Sequence, residues 1–324
     1  MNKEHVQRSE LTYSPQSYFR PETYGWTYFE TAKQLCLHDR AAFHAEVYQN
    51  YKGVLCWLTM LMSFVTDSQN SDSRDLEHTW NFNHYDDTLY TDLECIDPLV
   101  GTWAPILPTI TRLGKVLQNH KLEIWNSPGP ISELLKIESS LLQWQSDSDP
   151  CWNRTAEPGP QLEPFVAEIH DSVEVDGLPT DLHFTAMAHS YRLAGLLDLY
   201  RGIPMICFQR LSVIHGYSVT EKILQDFLQS LANTILRLLR TIPTKSRLFR
   251  VGTYPLITSG QFCVDEMDRE WIQGVFKEVR TQTRVPAVTK ICDVLREVWR
   301  LRDGGTFVSW RDVFSEWKLV MLMN

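Results

Sequence analysis

Apolar residues recur at spacings of three and four along most of this chain, the mark of helices that turn one face to a core. From 27 to 66, Phe29, Ala32, Leu35 and Cys36 and then Val54, Leu55, Leu58, Leu61, Met62 and Val65 keep that period. The second set is apolar nearly all round, which predicts an interior helix. The pattern returns over Pro98 to Leu117 and over Ile131 to Trp144. The latter is opened by Ser127-Pro128-Gly129-Pro130, since a first helical turn has no use for the missing N–H of proline. Over 182–201, Met187, Tyr191, Ala194, Leu197 and Tyr200 share one face, and over 218–242 the start Ser218-Val219-Thr220-Glu221 predicts a capping box. A helix over 265–281 carries Asp265, Glu266 and Asp268 at its N-terminal end and Lys277 and Arg280 near its C-terminal end, as the helix dipole favours. One over about 286–302 begins at Pro286, buries Val288, Ile291, Cys292, Leu295, Val298 and Trp299, and stops at Gly304-Gly305. A last helix from Ser309 aligns Trp310, Val313, Phe314, Trp317 and Val320 on one stripe.

These elements predict an all-α fold: a single large multi-helix domain of two packed helical layers over 27–324, preceded by a flexible N-terminal arm over 1–26. The arm is polar and rich in tyrosine, with only Val6 and Leu11 as aliphatics, and so buries little. Two acidic connections interrupt the helices. Residues 67–94 hold eight acidic residues against one arginine, and residues 145–181 hold nine against one, with several prolines. Both read as loops or extended crossings.

Composition narrows the picture. The chain has 324 residues, 43% hydrophobic and 22% charged, enough to bury a sizeable core and unlike a disordered chain. Its 15 glycines are too few for a many-turned all-β architecture. The net charge of −9 disfavours direct nucleic-acid binding, which draws its affinity from clustered Lys and Arg. The charge is uneven: residues 1–181 hold 12 basic and 27 acidic residues, and residues 182–324 hold 19 and 13. Two halves of one body that attract each other is the simplest reading. Seven cysteines, none within a C-x-x-C, support neither a disulfide framework nor a zinc site. The N-terminus lacks a signal-type apolar stretch. The longest apolar run, Val54 to Val65, falls short of the roughly 18–20 residues of a membrane span, so the chain is expected in the nucleus or cytoplasm.

Local chemistry is sparse. His84-Tyr85-Asp86 has the H-x-D spacing of an iron-binding facial triad, with further histidines at 170, 183, 189 and 215, but lies in an acidic stretch that reads as a loop. Asp86 and Asp87, followed by Asp92, resemble the paired carboxylates of terpene cyclases. Tyr90 stands where the D-D-x-x-D form needs an acid. His170-Asp171, His183 and His189-Ser190 could supply acid–base or nucleophilic groups, but no nucleophile elbow, phosphate loop or H-E-x-x-H supports them. The eleven tryptophans read chiefly as core.

Three stretches carry more. Cys95-Ile96-Asp97-Pro98-Leu99-Val100-Gly101, continuing through Ile106-Leu107-Pro108-Thr109-Ile110, resembles a helix start in the regulatory domain of fungal zinc binuclear-cluster transcription factors. Ser190-Tyr191-Arg192-Leu193-Ala194-Gly195-Leu196-Leu197-Asp198-Leu199-Tyr200-Arg201 is similar to that family's "AYRLAxLLxLYR" helix. The run from Pro255-Leu256 to Arg269, then Val298-Trp299-Arg300-Leu301-Arg302-Asp303-Gly304-Gly305 to Ser309-Trp310-Arg311-Asp312-Val313, resembles its C-terminal signature. Together they cover about 27–322 in the family's order. The resemblance implies an all-α regulatory domain that senses effectors or dimerises. The family's six-cysteine zinc module, which reads DNA, has no counterpart here, and Gly260-Gln261-Phe262-Cys263 stands in place of its "Gly-Cys-Glu".

The expected function is therefore that of a transcription-regulator domain without its own DNA reader, needing no cofactor and no metal. It would bind a small apolar metabolite and a protein partner or a second copy. Two alternatives stand beside it: a helical cyclase or isomerase of fungal specialised metabolism using His84, Asp86 and Asp87 in an aromatic pocket, and a dimerising interaction scaffold.

Overall fold

A computed structural model describes residue 60 and residues 106–119, 128–144, 179–215, 219–284 and 287–317. Their helices are α1 (Leu107–Asn119), α2 (Pro128–Gln143), α3 (Asp181–Gly202), α4 (Pro204–His215), α5 (Glu221–Arg240), α6 (Thr253–Gly260), α7 (Glu266–Thr283), α8 (Ala287–Asp303) and α9 (Trp310–Glu316), with a 3-10 turn over Arg247–Arg250. The fold is all-α, and the described residues hold no strand. The arm and residues 67–94 lie outside the described residues. So do residues 145–178 of the second acidic connection.

Helix α3 organises the rest. The period predicts one buried face, but the structure buries nearly the whole helix from His183 to Tyr200, polar residues included. The reason is its position: α1, α2, α4, α5 and α6 all pack against it, so no face is left for water. Small residues permit this closeness. At Gly195 an added Cβ would lie 3.1 Å from Leu141 Cδ1 and 3.4 Å from Ile110 Cγ1, which shows how tightly α1 and α2 approach. Thr180 caps the helix, accepting from the His183 N–H while His183 Nδ1 accepts from the Thr180 N–H.

The other helices are amphipathic. In α5 the buried set Leu224, Leu228, Leu231, Ile235 and Leu238 follows the helical period. Its cap differs from the expected Ser218 to Glu221 box. Thr220 is the residue in extended conformation just before the helix, its Oγ1 accepting from the Ile223 N–H at 3.4 Å, and Glu221 lies within the first turn. Helices α7 and α8 pack side by side, and α7 also meets the 3-10 turn. Asp265 caps α7 by accepting from the Met267 N–H at 2.8 Å. As expected, α8 stops at the glycine pair: Gly305 takes φ 84°, and the Thr306 N–H reaches back to the Leu301 carbonyl at 2.9 Å, a Schellman closure that Gly makes without strain.

Two elements escape the periodicity. Helix α6 is eight residues long and buried throughout, so it has no polar face to alternate with its apolar one. Helix α4 follows α3 after Ile203 alone, where Pro204 opens a new first turn. In α9, Trp310, Val313 and Phe314 are buried as the stripe predicts, but Trp317 is 41% exposed because the helix ends at Glu316 and its ring leaves the stripe. Val320 lies outside the described residues.

Replacing Gly195 with Leu should destabilise the protein by about 1–3 kcal/mol through overpacking against Leu141 and Ile110. Gly274→Ala on α7, where nothing lies within 4 Å of an added Cβ, should instead raise stability by up to about 1 kcal/mol through helix propensity. Urea denaturation of the two variants checks both signs.

Candidate functional site

The burial of α3 draws its polar side chains into the interior, and their partners come from α2, α6 and α9. Asp198 is 1% exposed. Its Oδ2 accepts from the Tyr254 hydroxyl at 3.1 Å and from Thr258 Oγ1 at 3.4 Å, both on α6. Its Oδ1 lies 3.4 Å from Nη2 of Arg311, the second residue of α9. Burial, and then the Asp198 charge, push the Tyr254 phenol well above its ordinary pKa, so it remains a donor to the carboxylate. Two turns of α3 earlier, the Tyr191 hydroxyl donates to the Val251 carbonyl, and its ring tilts against Tyr254 with centroids 5.7 Å apart. A single buried carboxylate thus ties three helices.

A second junction forms around Gln261, which ends α6. Its Oε1 accepts from Arg201 Nη1, in the last turn of α3, and from the backbone N–H of Trp310 at 3.3 Å. Its Nε2 donates to the Thr258 carbonyl at 2.8 Å, and its own carbonyl accepts from Arg302 Nη1 at 3.1 Å. Arg302 also donates to Gln229 Oε1 of α5 at 3.1 Å. Next to it the Trp299 indole N–H donates to the Gly260 carbonyl at 2.7 Å, closing the end of α6. Burial, and then the charge of Arg311, lower the Arg201 guanidinium to a pKa of about 10.

A third tie joins α7 to α8. Arg269 grips Asp303 through two hydrogen bonds of 2.7 Å and donates from Nε to the Cys263 carbonyl at 3.2 Å. That fork holds the Asp303 carboxyl below its usual range and Arg269 above its own. Also near the C-terminal end of α3, Glu138 of α2 accepts from the Tyr200 hydroxyl at 2.8 Å and pairs with Arg210 of α4 at 3.5 Å.

Of the candidate groups read from the sequence, His84, Asp86, Asp87, His170 and Asp171 lie outside the described residues. His183 is a capping residue of α3. His189 is buried edge-on against Trp144, with centroids 5.7 Å apart, and Ser190 donates to the Ala186 carbonyl at 2.8 Å. The hydroxyl of Ser190 is thereby committed to its own helix. Among the described residues no group of three or more His, Cys, Asp or Glu side chains could hold a metal ion, and no helix is long and apolar enough to cross a membrane. Cys207, Cys263 and Cys292 are buried, and burial raises their thiols to about 12, 12 and 11.

The junction residues fall inside the stretches that carried the resemblance: Asp198 and Arg201 in the second, and Arg269, Trp299, Arg302, Asp303, Trp310 and Arg311 in the third. Of the first stretch, Ile106, Leu107 and Ile110 are described and buried at the start of α1. The model of the fungal-specific transcription factor domain matches residues 28–322.

The chain belongs to the fungal-specific transcription factor domain family. No curated protein and no solved structure matches it. Membership assigns the chain a role in transcription regulation. It also gives the signature residues a physical meaning, because in this fungal-specific transcription factor domain they are the polar groups that bind the C-terminal helices to α3. Several participants are not singled out by the sequence, Gln229 of α5 and Glu138 of α2 among them. Tyr254 precedes the quoted Pro255, and Gln261 was noticed only as a departure from the family pattern. Neither carries a local signal, because Tyr254 lies inside and Gln261 directly after a short helix that mixes hydroxyl, proline and apolar residues without a period.

Asp198→Ala should lower stability by about 3–5 kcal/mol, since it leaves Arg311 without its buried partner. Adding Arg311→Met to it should restore part of the loss, a coupling measurable by a double-mutant cycle in denaturant. Alkylation of the folded protein at pH 8 should spare Cys207, Cys263 and Cys292, and modify them only after denaturation, as peptide mapping would show.

Proposed function

We propose that this helical body is the effector-sensing and dimerising part of a transcription regulator, and that DNA is read by another module or another polypeptide. The observation that carries the reading is the family match over 28–322. The charge balance favours the same division of labour: a chain of net −9 is a poor ligand for a phosphate backbone. The described surface also favours protein contact. Val213 is 84% exposed and Phe307 72%, with Val264 and Met267 exposed to a similar degree, and large apolar side chains open to water gain from being covered.

Regulation requires that an effector or a second copy bind two conformations with different affinity. The helix ties described above offer such an element. Helix α9 is seven residues long, and its ties include a buried ion pair, a backbone hydrogen bond to Gln261 and three buried apolar side chains. A short helix whose place depends on a few directional ties is a part of the fold that a ligand or a second copy can bias. A nuclear location and a small apolar metabolite as effector complete the reading.

Light scattering on the purified full chain, across a hundredfold range of concentration, should give a mass of twice 37.7 kDa at the upper end. Comparison of native and denatured mass spectra should reveal a retained small molecule. A monomer at every concentration that carries nothing would remove this reading.

A further inference from the structure

Three guanidinium groups meet where the C-terminal ends of α3, α6 and α8 come together with the start of α9. Arg201 and Arg302 lie against the same ring, Phe262, with guanidinium carbons 5.7 and 5.8 Å from its centroid, and both hydrogen-bond to Gln261. Arg311 is close enough to depress the ionisation of Arg201. The acidic side chains at this corner are Asp198, which pairs with Arg311, Asp312, which is engaged in capping α9 with Ser309, and Asp303, which is held by Arg269. Among the described residues no carboxylate lies within ion-pair distance of Arg201 or Arg302.

Their neutral partners offset this only in part. A glutamine oxygen, a helix-end carbonyl and an aromatic face each carry partial negative charge, and none matches a guanidinium. The donors are also not exhausted. Arg201 uses one of its five N–H groups on a protein acceptor and Arg302 uses two. Neither contributes a buried nitrogen that lacks a partner, so the remaining donors reach solvent. Phe307, largely exposed, packs its ring 5.8 Å from the Arg302 guanidinium and forms an apolar edge to the same corner. Planar forks with unused donors, each held against the same aromatic ring, suit an oxyanion far better than a single flexible lysine would.

We propose that the Arg201, Arg302 and Gln261 corner binds a small oxyanion, the carboxylate or phosphate group of a metabolite. Binding at this corner needs neither dimerisation nor an apolar pocket. Only its regulatory consequence rests on the effector-sensing reading: an anion bridging Arg201 and Arg302 would fasten α8 to α3 and steady the neighbouring α9.

The test uses the full chain and two probes, sodium phosphate and sodium citrate, each compared with sodium chloride at equal ionic strength while the thermal midpoint is followed. At least one oxyanion should raise the midpoint by about 3 °C more than chloride does when present at ten times its dissociation constant. A response to phosphate alone assigns a phosphate group, a response to citrate alone a carboxylate, and a response to both the shared oxyanion chemistry. Arg201→Gln and Arg302→Gln should each need at least tenfold more anion for the same rise, whereas Arg247→Gln, an exposed residue of the 3-10 turn, should behave as the parent. If neither probe exceeds chloride on the parent protein, or if both corner variants respond as the parent does, the proposal is wrong. The parent comparison decides even if a corner variant fails to fold. Loss of the dimer and retained metabolite in the mass measurements would leave this result untouched.

Discussion

A helix surrounded by other helices has no water to serve its polar side chains, and that constraint shapes this protein. Helix α3 is buried over nearly its whole length yet carries Asp198, Arg192, His183, His189 and two tyrosines into the interior. An unpartnered buried carboxylate is strongly unfavourable, so the fold must deliver donors to Asp198 from elsewhere in the chain. It does so from α6 and α9, through Tyr254, Thr258 and Arg311. The position of the C-terminal helices follows from that need as much as from their apolar stripes.

The second junction extends the same logic to helix ends. The last carbonyls of a helix lack internal partners, and those at the end of α6 are met by the Trp299 indole and by Arg302. Gln261 then links that end to Arg201 and to the first N–H of α9. Apolar contact alone would allow α8 and α9 to slide along their neighbours. Directional hydrogen bonds to fixed helix ends hold the register, which is the use to which buried polar groups are best suited. A regulatory domain gains from such an arrangement, because its packing is specified by a few polar ties rather than by a uniform apolar surface. Changing the occupancy of one tie changes the relation of three helices at once.

Much of the helical content was legible in the linear pattern. Helices α2, α3, α5, α7 and α8 lie within a few residues of their expected bounds, since each either keeps an apolar period or carries clear end signals: Pro at the start of α2, Asp265 ahead of α7 and the Gly304-Gly305 pair after α8. The failures also have physical causes. Helix α6 is short and buried throughout and has no period to read, the cap of α5 falls on Thr220 because it is the extended residue directly before the helix, and Trp317 leaves its stripe because α9 ends one residue earlier. For the site, the sequence pointed to histidines and acids that share a spacing. The groups that meet in space are instead arginines, tyrosines and aspartates whose partners lie 34 residues or more away along the chain.

What the sequence determined by itself was the class of the fold, the longer helices and the family, because these depend on local periodicity, local end signals and the order of short motifs. What only the tertiary structure decided was which polar residues share an interior. Asp198 and Arg192 look in the sequence like ordinary polar positions on a helix with one apolar face, and nothing local says that the other faces are covered too. Burial on every side is a property of five neighbouring helices, and it converts those residues from surface charges into the groups that hold the domain together.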